Sequence, residues 1–401
     1  MAAMVIVGGG HAAGQAAASL RQEGFDGEIV ILAEEPHIPY QRPPLSKQYL
    51  AGEHGLERVH LRPAKFYDDK NIEVRTGVRA QAIDTAARTV TTDTGETIEY
   101  EKLLLATGSR PRQLVIPGSD LRGIHYLRGI DDVDGIRGEM EPGKTLVVVG
   151  GGYIGLEVAS VAVEAGLDVH VLEMEERILA RVTTERMSEY YHRLHESRGV
   201  HVHCRAGVTA FKGSGHVEGV ICGDEEYPAD IVIVGIGIVP NVEVAEAAGI
   251  ECDNGILVDD HCRTSAPDVF AAGDCTNHPN ELLDRRLRLE SVPNAMEQAR
   301  VAAANMCGGD KRYASIPWFW SDQYELKLQM VGFSADGDTE VVRGDMAANQ
   351  FAVFYLKDGA VVAADAVNSP KEFMICKQLI GKQVDPAVLA DPEADLKALI
   401  R

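Results

Sequence analysis

Apolar and polar positions along this chain change period at glycines, and those changes outline the elements. Met4-Val5-Ile6-Val7 is a short continuous apolar run, the mark of a strand buried on both faces. It stops at Gly8-Gly9-Gly10-His11-Ala12-Ala13-Gly14, and an alanine-rich segment through Leu20 then predicts a helix. A second apolar run, Ile29 to Leu32, ends at Glu34. The same order returns further on: Leu146 to Val149, then Gly150-Gly151-Gly152-Tyr153-Ile154-Gly155, a helical segment Leu156 to Ala165, and Val169 to Leu172 closing at Glu173. Residues 72 to 105 alternate short β-type runs with turns and end in Leu103-Leu104-Leu105-Ala106-Thr107-Gly108. Asp230 to Val239, ending in Pro240, reads as one more strand, and Val269 to Ala272 as a short buried one leading into Gly273-Asp274. Ala295 to Met306 predicts a helix. After Lys311 the composition shifts to an aromatic stretch holding both tryptophans. A hairpin of Phe351–Leu356 and Val361–Val367 follows, then helical segments from Lys371 to Ile380 and from Asp391 onward. The fold class is α/β, with a separate α+β domain at the C-terminal end.

The glycine turns carry chemistry. Gly8 permits a tight turn, Gly10 lets backbone approach a pyrophosphate, and Ala13 stands where a small residue allows helix to pack on strand. The helix that follows offers unpaired N–H groups and the positive end of its dipole to phosphate. Glu34, about 20 residues on, is placed to accept hydrogen bonds from ribose hydroxyls. Glycine turns also join ordinary strands and helices. Duplication of the whole pattern, however, points to two bound nucleotides. Asp274 has two readings, a turn or helix cap and a cofactor contact at the C-terminal end of a strand, where α/β sheets bind ligands. The second is favoured.

At 401 residues, two or three domains are expected. A formal net charge of −22 disfavours nucleic acid and anionic membranes as partners. No N-terminal stretch has signal-peptide order, and the apolar run at Ile231 to Val239 is too short to span a bilayer. The seven cysteines, at 204, 222, 252, 262, 275, 307 and 376, form no CxxC pattern, so a reducing cytoplasm is the simplest expectation. His192, His195, His201, His203 and Cys204 crowd together on a helix and a following strand, with His201 and His203 on one strand face. Their spacing matches no closed metal site, and no metal is expected.

Taken together, VIVGGGHAAG (5–14), RPPLSK (42–47), LLLATGSRPR (103–112), VVVGGGYIGLE (147–157), GIGIVPN (235–241), AAGDC (271–275), ESVPNAMEQAR (290–300) and WFWSDQY (318–324) cover the length of the chain. On these motifs it resembles the FAD-dependent NADH:ferredoxin reductases of the putidaredoxin reductase type, within the pyridine nucleotide-disulfide oxidoreductase superfamily. The resemblance implies two Rossmann-like dinucleotide-binding domains, the second inserted in the first, plus a C-terminal domain. The expected divisions are 1–110 with 243–316 for FAD, 111–242 for NADH and 317–401 for the C-terminal α+β domain. It further implies that Gly8, Gly10, Ala12, Ala13, Glu34, Arg42, Lys47, Ala80, Thr107, Arg128, Asp274 and Val292 contact FAD. Gly150, Gly152, Ile154, Gly155, Glu173 and Gly237 would hold NADH. Ala13 departs from the commoner third glycine.

The activity so implied is hydride transfer from NADH to FAD, followed by release of single electrons to a [2Fe–2S] ferredoxin serving a cytochrome P-450-type monooxygenase or similar oxygenase. Such chemistry belongs to the cofactors and needs no general base. Lys47 is expected near the flavin edge, paired with Glu157, although a first-turn acid complementing its helix dipole also explains Glu157. Trp320 is read either as lying beside the flavin or as core. Glu173, Glu175 and Glu176 would repel a 2′-phosphate, so NADH should be preferred over NADPH, with Arg177 the residue that could undermine this. Arg285, Arg286, Arg288 and Arg300 are basic in an acidic chain. From charge alone they are a solvated strand face, and given the resemblance they become a docking surface for an acidic ferredoxin. A monomer or weak homodimer is expected. Two other functions stay open, an NADH oxidase or disulfide reductase and a redox-sensing flavoprotein like apoptosis-inducing factor. The first needs a cysteine beside the flavin, and no cysteine precedes position 204. The second would want a targeting segment and a basic surface.

Overall fold

The computed structural model describes residues 3–400, so the outer domain ends expected at residues 1 and 401 lie outside the described residues. The chain divides into two compact units. Unit one holds the chain up to Arg42, His54–Arg110 and Ile238–Pro317; unit two holds Pro43–Glu53, Pro111–Gly237 and Trp318 onward. Three of these boundaries fall within five residues of the expected domain ends, while Pro43–Glu53, expected in the first domain, groups with unit two.

In unit one the strand Ala3–Val7 lies in the middle of a parallel sheet, between Ile29–Ala33 and the C-terminal half of Thr97–Leu105. Ile72–Thr76 extends one side, and Val269–Ala271 pairs with the far side of Leu103–Leu105. The N-terminal half of Thr97–Leu105 turns antiparallel to Thr89–Thr92, which in turn pairs with Ala80–Asp84. The first strand is buried at all five positions because the helices His11–Gln22 and Val292–Met306 cover one face, as its unbroken apolar run requires. The chain moves from the first strand to one side and returns on the other, which creates a topological switch point at the end of Val7.

Unit two repeats this plan. Thr145–Val149 is central, Asp168–Glu173 and then His201–Cys204 lie on one side, and Ile231–Val234 followed by Ile124–His125 lie on the other, all parallel. A three-stranded antiparallel sheet, Ala210–Gly213, Val217–Cys222 and Glu225–Pro228, packs its apolar side against this sheet. A five-stranded antiparallel sheet, running Trp318–Gln323, Leu326–Gly332, Ala360–Val367, Gln350–Lys357 and Thr339–Asp345, carries the C-terminal helix Pro370–Leu379.

Two sequence readings change. Asp230 to Val239 is two strands, Ile231–Val234 and Ile238–Pro240, broken at Gly235-Ile236-Gly237, where Gly237 has a φ of 101°. The helix expected from Asp391 onward is only a 3-10 turn, Leu396–Leu399, and a short helix, Pro386–Ala390, ends just before it. The Asp385 and Asp395 side chains each cap the turn that follows them.

Candidate functional site: two glycine turns and a buried charge cluster

Each switch point is occupied by a glycine for the same steric reason. Gly8 has φ 130°, and a Cβ there would lie 2.1 Å from the Ala106 carbonyl oxygen; Gly150 has φ 109°, with its Cβ 2.5 Å from the Gly235 oxygen. Both turns run against the strand on the far side of the switch, and only glycine fits. Gly10 and Gly152 are the N-caps of 12-residue helices that have no side-chain cap and no acid in the first turn. A Cβ on either would meet nothing within 4 Å. The two helix N-termini therefore present bare N–H groups to open space, the arrangement that suits a phosphate. By contrast, Ser291 caps Val292–Met306, and the first turn of Ile130–Glu139 carries Asp131 and Asp132, with Asp132 accepting from Gly129 N at 2.8 Å.

In unit one, Asp274 is carried to the first turn from far down the chain. Gly273 has φ 91°, and its Cβ would come 3.3 Å from that of Ala12 and 3.7 Å from that of Ala295. Buried Gln298 holds this corner, accepting from Gly273 N at 2.8 Å and from Thr276 Oγ1 at 2.9 Å. Ser109 Oγ donates to Asp274 Oδ2 at 2.8 Å. Thr107 is pinned both ways by Asn241, donating to its carbonyl at 2.6 Å while its own carbonyl accepts from Asn241 Nδ2 at 2.9 Å. Val292 opens the helix beside this corner. Sequence reasoning missed Gln298 and Asn241. Their role is to hold loops, and no spacing announces it. Glu34 is exposed at the end of its strand, 3.8 Å from Arg79. Its neighbour Glu35 instead takes Arg42 at 2.6 Å and Tyr40. Ala80 begins an outer strand of the sheet.

In unit two, the Glu173 carboxylate accepts from Gly151 N at 2.7 Å and from Glu175 N at 2.9 Å, which ties the strand-end acid to the glycine turn. Arg177 does not reach outward, because its guanidinium donates to the Ala180, Thr183 and Thr184 carbonyls and to Ser188 Oγ. It folds the loop and is not placed to receive a 2′-phosphate. Ile154, in the first turn of the helix, is 45% exposed, an apolar side chain beside the bare N-terminus. Arg128 precedes the Ile130–Glu139 helix, and its backbone N–H donates to Asp132 at 3.0 Å.

Lys47 and Glu157, both in unit two, meet at 2.6 Å, with side chains 9% and 1% exposed. Glu157 lies in the second turn of its helix, and its carboxylate bonds side chains, so the helix-dipole reading does not account for it. Ser46 and Lys47 donate to Oε2, at 2.5 and 2.6 Å, and Ser321 donates to Oε1 at 2.6 Å. The donors continue in one direction. Gln323 Nε2 donates to Ser321 Oγ at 3.2 Å, buried His195 meets Gln323 Oε1 at 2.8 Å through Nε2, and Tyr324 OH meets His195 Nδ1 at 3.0 Å. With the amide oxygen facing it, His195 carries its proton on Nε2 and accepts from Tyr324. Burial raises the Glu157 carboxyl above its usual value, and Lys47 pulls it back. Burial lowers His195 to about 4. Trp320 alternates with Ser321 on its strand, so it faces away from this cluster, half-buried beside Trp318 at a ring separation of 5.7 Å.

The four arginines are not equivalent. Arg286 donates to the Val258 and Asn277 carbonyls, and Arg288 pairs with Glu290 at 2.6 Å and with Asn254. Arg285, Arg286 and Arg300 are exposed. All seven cysteines are free thiols; Cys275, beside Asp274, is buried with its thiol pushed up by burial, the setting of an inert cysteine. Among the described residues no helix is long and apolar enough to cross a membrane.

Residues 2–299 match the family model described as pyridine nucleotide-disulphide oxidoreductase, and residues 318–400 match the reductase C-terminal model. The probable ferredoxin reductase CtmF of Castellaniella defragrans is 43% identical, over 99% of this chain and 98% of that protein. The putidaredoxin reductase CamA of Pseudomonas putida is 43% identical, over 99% and 96%. The crystal structure of the covalent putidaredoxin reductase–putidaredoxin complex superposes with a TM-score of 0.96 at 42% identity, covering 100% of this chain and 98% of that one.

Proposed function

The chain belongs to the pyridine nucleotide-disulphide oxidoreductase family, and from that premise we propose that it is an NADH:ferredoxin reductase passing electrons to a [2Fe–2S] ferredoxin that feeds a cytochrome P-450-type or similar oxygenase. Oxidoreductase activity, with FAD and NAD(H) as cofactors, comes with the family. The observation that carries the reading is the pair of bare, glycine-opened helix N-termini at two switch points, with no reactive thiol beside them.

Bound FAD would supply the redox chemistry, taking a hydride and releasing electrons singly. This chain's residues bind and orient. Gly8, Gly10, Ala12 and Ala13 would cradle the FAD pyrophosphate, Glu34 the adenosine ribose, and Asp274, fixed by Ser109, the ribityl hydroxyls. Arg42, Ala80, Thr107, Arg128 and Val292 complete the proposed FAD contacts. Gly150, Gly152, Ile154, Gly155, Glu173 and Gly237 would hold NADH. Lys47 and Glu157 are proposed as a buried charge pair that tunes the flavin. Arg285, Arg286, Arg288 and Arg300 are proposed as the ferredoxin surface, with Arg286 and Arg288 also bonded within the fold.

The test is NADH-driven reduction of [2Fe–2S] ferredoxins, compared with oxygen and disulfides as acceptors and with NADPH as donor. The reading expects ferredoxin reduction to be fastest and to slow as salt rises. It also expects NADH to be preferred by roughly 10-fold or more, from the juxtaposed Glu173, Glu175 and Glu176. Oxygen or a disulfide outrunning every ferredoxin would sink the function. Comparable kcat/KM for the two nucleotides would sink the specificity.

A further inference from the structure

Parallel pairing of Asp168–Glu173 with His201–Cys204 sets His170 opposite His201 and Leu172 opposite His203. Three imidazoles and one carboxylate thereby gather at the sheet edge, drawn from two strands, which is why no spacing in the sequence displays them. His192 and His195 go elsewhere. His192 pairs with Glu196 on its own helix, and His195 is the buried partner of Gln323 and Tyr324.

The geometry of this cluster converges. His201 Nε2 stands 3.3 Å from Asp168 Oδ1, and His170 Nε2 stands 3.7 Å from Asp168 Oδ2. Ligand atoms of the three residues all fall within 4.8 Å of one another. Both nitrogen–oxygen distances exceed the ordinary N–H···O hydrogen bond of about 2.9 Å. They approach the separation of roughly 3.4 Å between ligand atoms that sit about 2.0–2.1 Å from a tetrahedral metal. On the other side of its ring, His170 Nδ1 meets His203 Nε2 at 3.1 Å. A partner on that nitrogen orients the His170 ring, the kind of support that metal-binding histidines ordinarily receive. His203 is itself packed on Tyr227, with ring centroids 4.8 Å apart.

We propose that Asp168, His170 and His201 form a binding site for a divalent transition metal of the zinc type, with His203 as the group that orients His170. Imidazole and carboxylate are the donor types that zinc takes, and three protein ligands leave a fourth position for water. The site lies at the start of the strands. Glu173 ends the same strand, about 16 Å from Asp168 and about 10 Å from His170 at roughly 3.3 Å per residue, so metal and nucleotide should bind independently.

The experiment is zinc titration by calorimetry on the full-length, FAD-loaded, untagged protein after chelator treatment, with anomalous diffraction at the zinc edge to locate the ion. One zinc per chain is expected, bound at Asp168, His170 and His201. His201→Gln and Asp168→Asn should each weaken binding at least 10-fold. His203→Gln, which only removes the support, should weaken it roughly 10-fold, the lower end of the effect of second-layer partners. His192→Gln should bind as the parent does, and NADH should not displace the ion. Less than one zinc per chain, anomalous density elsewhere, or unchanged affinity in His201→Gln and Asp168→Asn would each overturn the proposal.

Discussion

The two glycine turns are alike where the chain must pass its neighbour and unlike everywhere else. Gly8 and Gly150 are each pressed against a carbonyl of the strand across the switch point. At the third motif position they part. A Cβ on Gly155 would lie 2.3 Å from the Gly150 oxygen, whereas the Ala13 methyl is fully buried in the core of unit one. The acids differ as well. Glu173 is bonded into its turn at Gly151 N, while Glu34 stays exposed and Glu35 beside it locks Arg42. The charge pairs differ most. Arg42–Glu35 is partly open, with side chains 23% and 35% exposed, and Lys47–Glu157 is closed at 9% and 1%. One motif therefore tolerates different solutions away from the switch-point glycine itself.

The strongest way to break this comparison is at the shared glycines. Gly8→Ala is expected to abolish FAD retention, and Gly150→Ala to leave a yellow protein that NADH no longer reduces; flavin absorbance before and after NADH addition reads both. If either variant behaves like the parent, the steric equivalence of the turns is wrong. Next come the charge pairs. Glu157→Ala strands a buried ammonium and should cost about 3–5 kcal/mol in denaturant unfolding, with the flavin spectrum shifted if the pair lies near the flavin. Glu35→Ala, at a partly open pair, should cost about 1 kcal/mol or less.

Acid should then weaken both units by a similar mechanism. His195 in unit two and His278 in unit one are each lowered by burial to about 4. A base lowered in the folded state contributes stability that is whole above its usual value near 6.5 and is lost as pH falls from there through about 4. That amounts to about 3 kcal/mol per residue. His195→Gln and His278→Gln should each flatten stability measured between pH 7 and pH 4. An unchanged pH slope in either variant would contradict the burial argument for that unit. At the third motif position, Gly155→Ala should cost about 1–3 kcal/mol through overpacking, and Ala13→Gly about 0.5–1 kcal/mol. Equal costs would mean that the two positions are interchangeable after all.

Much of this was legible in the chain itself. Unbroken apolar runs, glycines and strand-end acids are local signals, because burial on both faces and a positive φ are demands met by the residue at that position. From them came both dinucleotide units, the return of Asp274, and the hairpin of the C-terminal sheet. Local signal also misled where an apolar run continued through a required break, as at Gly235 to Gly237. Charge alone showed four arginines, and only the fold showed that Arg286 bonds backbone carbonyls and that Arg288 pairs with Glu290. Tertiary structure by itself decided the contacts between distant segments. Gln298 clamps the Asp274 corner, the donor chain runs from Tyr324 to Glu157, and strand register brings Asp168 and His170 to His201. Hydrogen bonds between side chains depend on register and helix rotation, which no periodicity encodes, so the chain determined where nucleotides could bind and the fold determined what surrounds them.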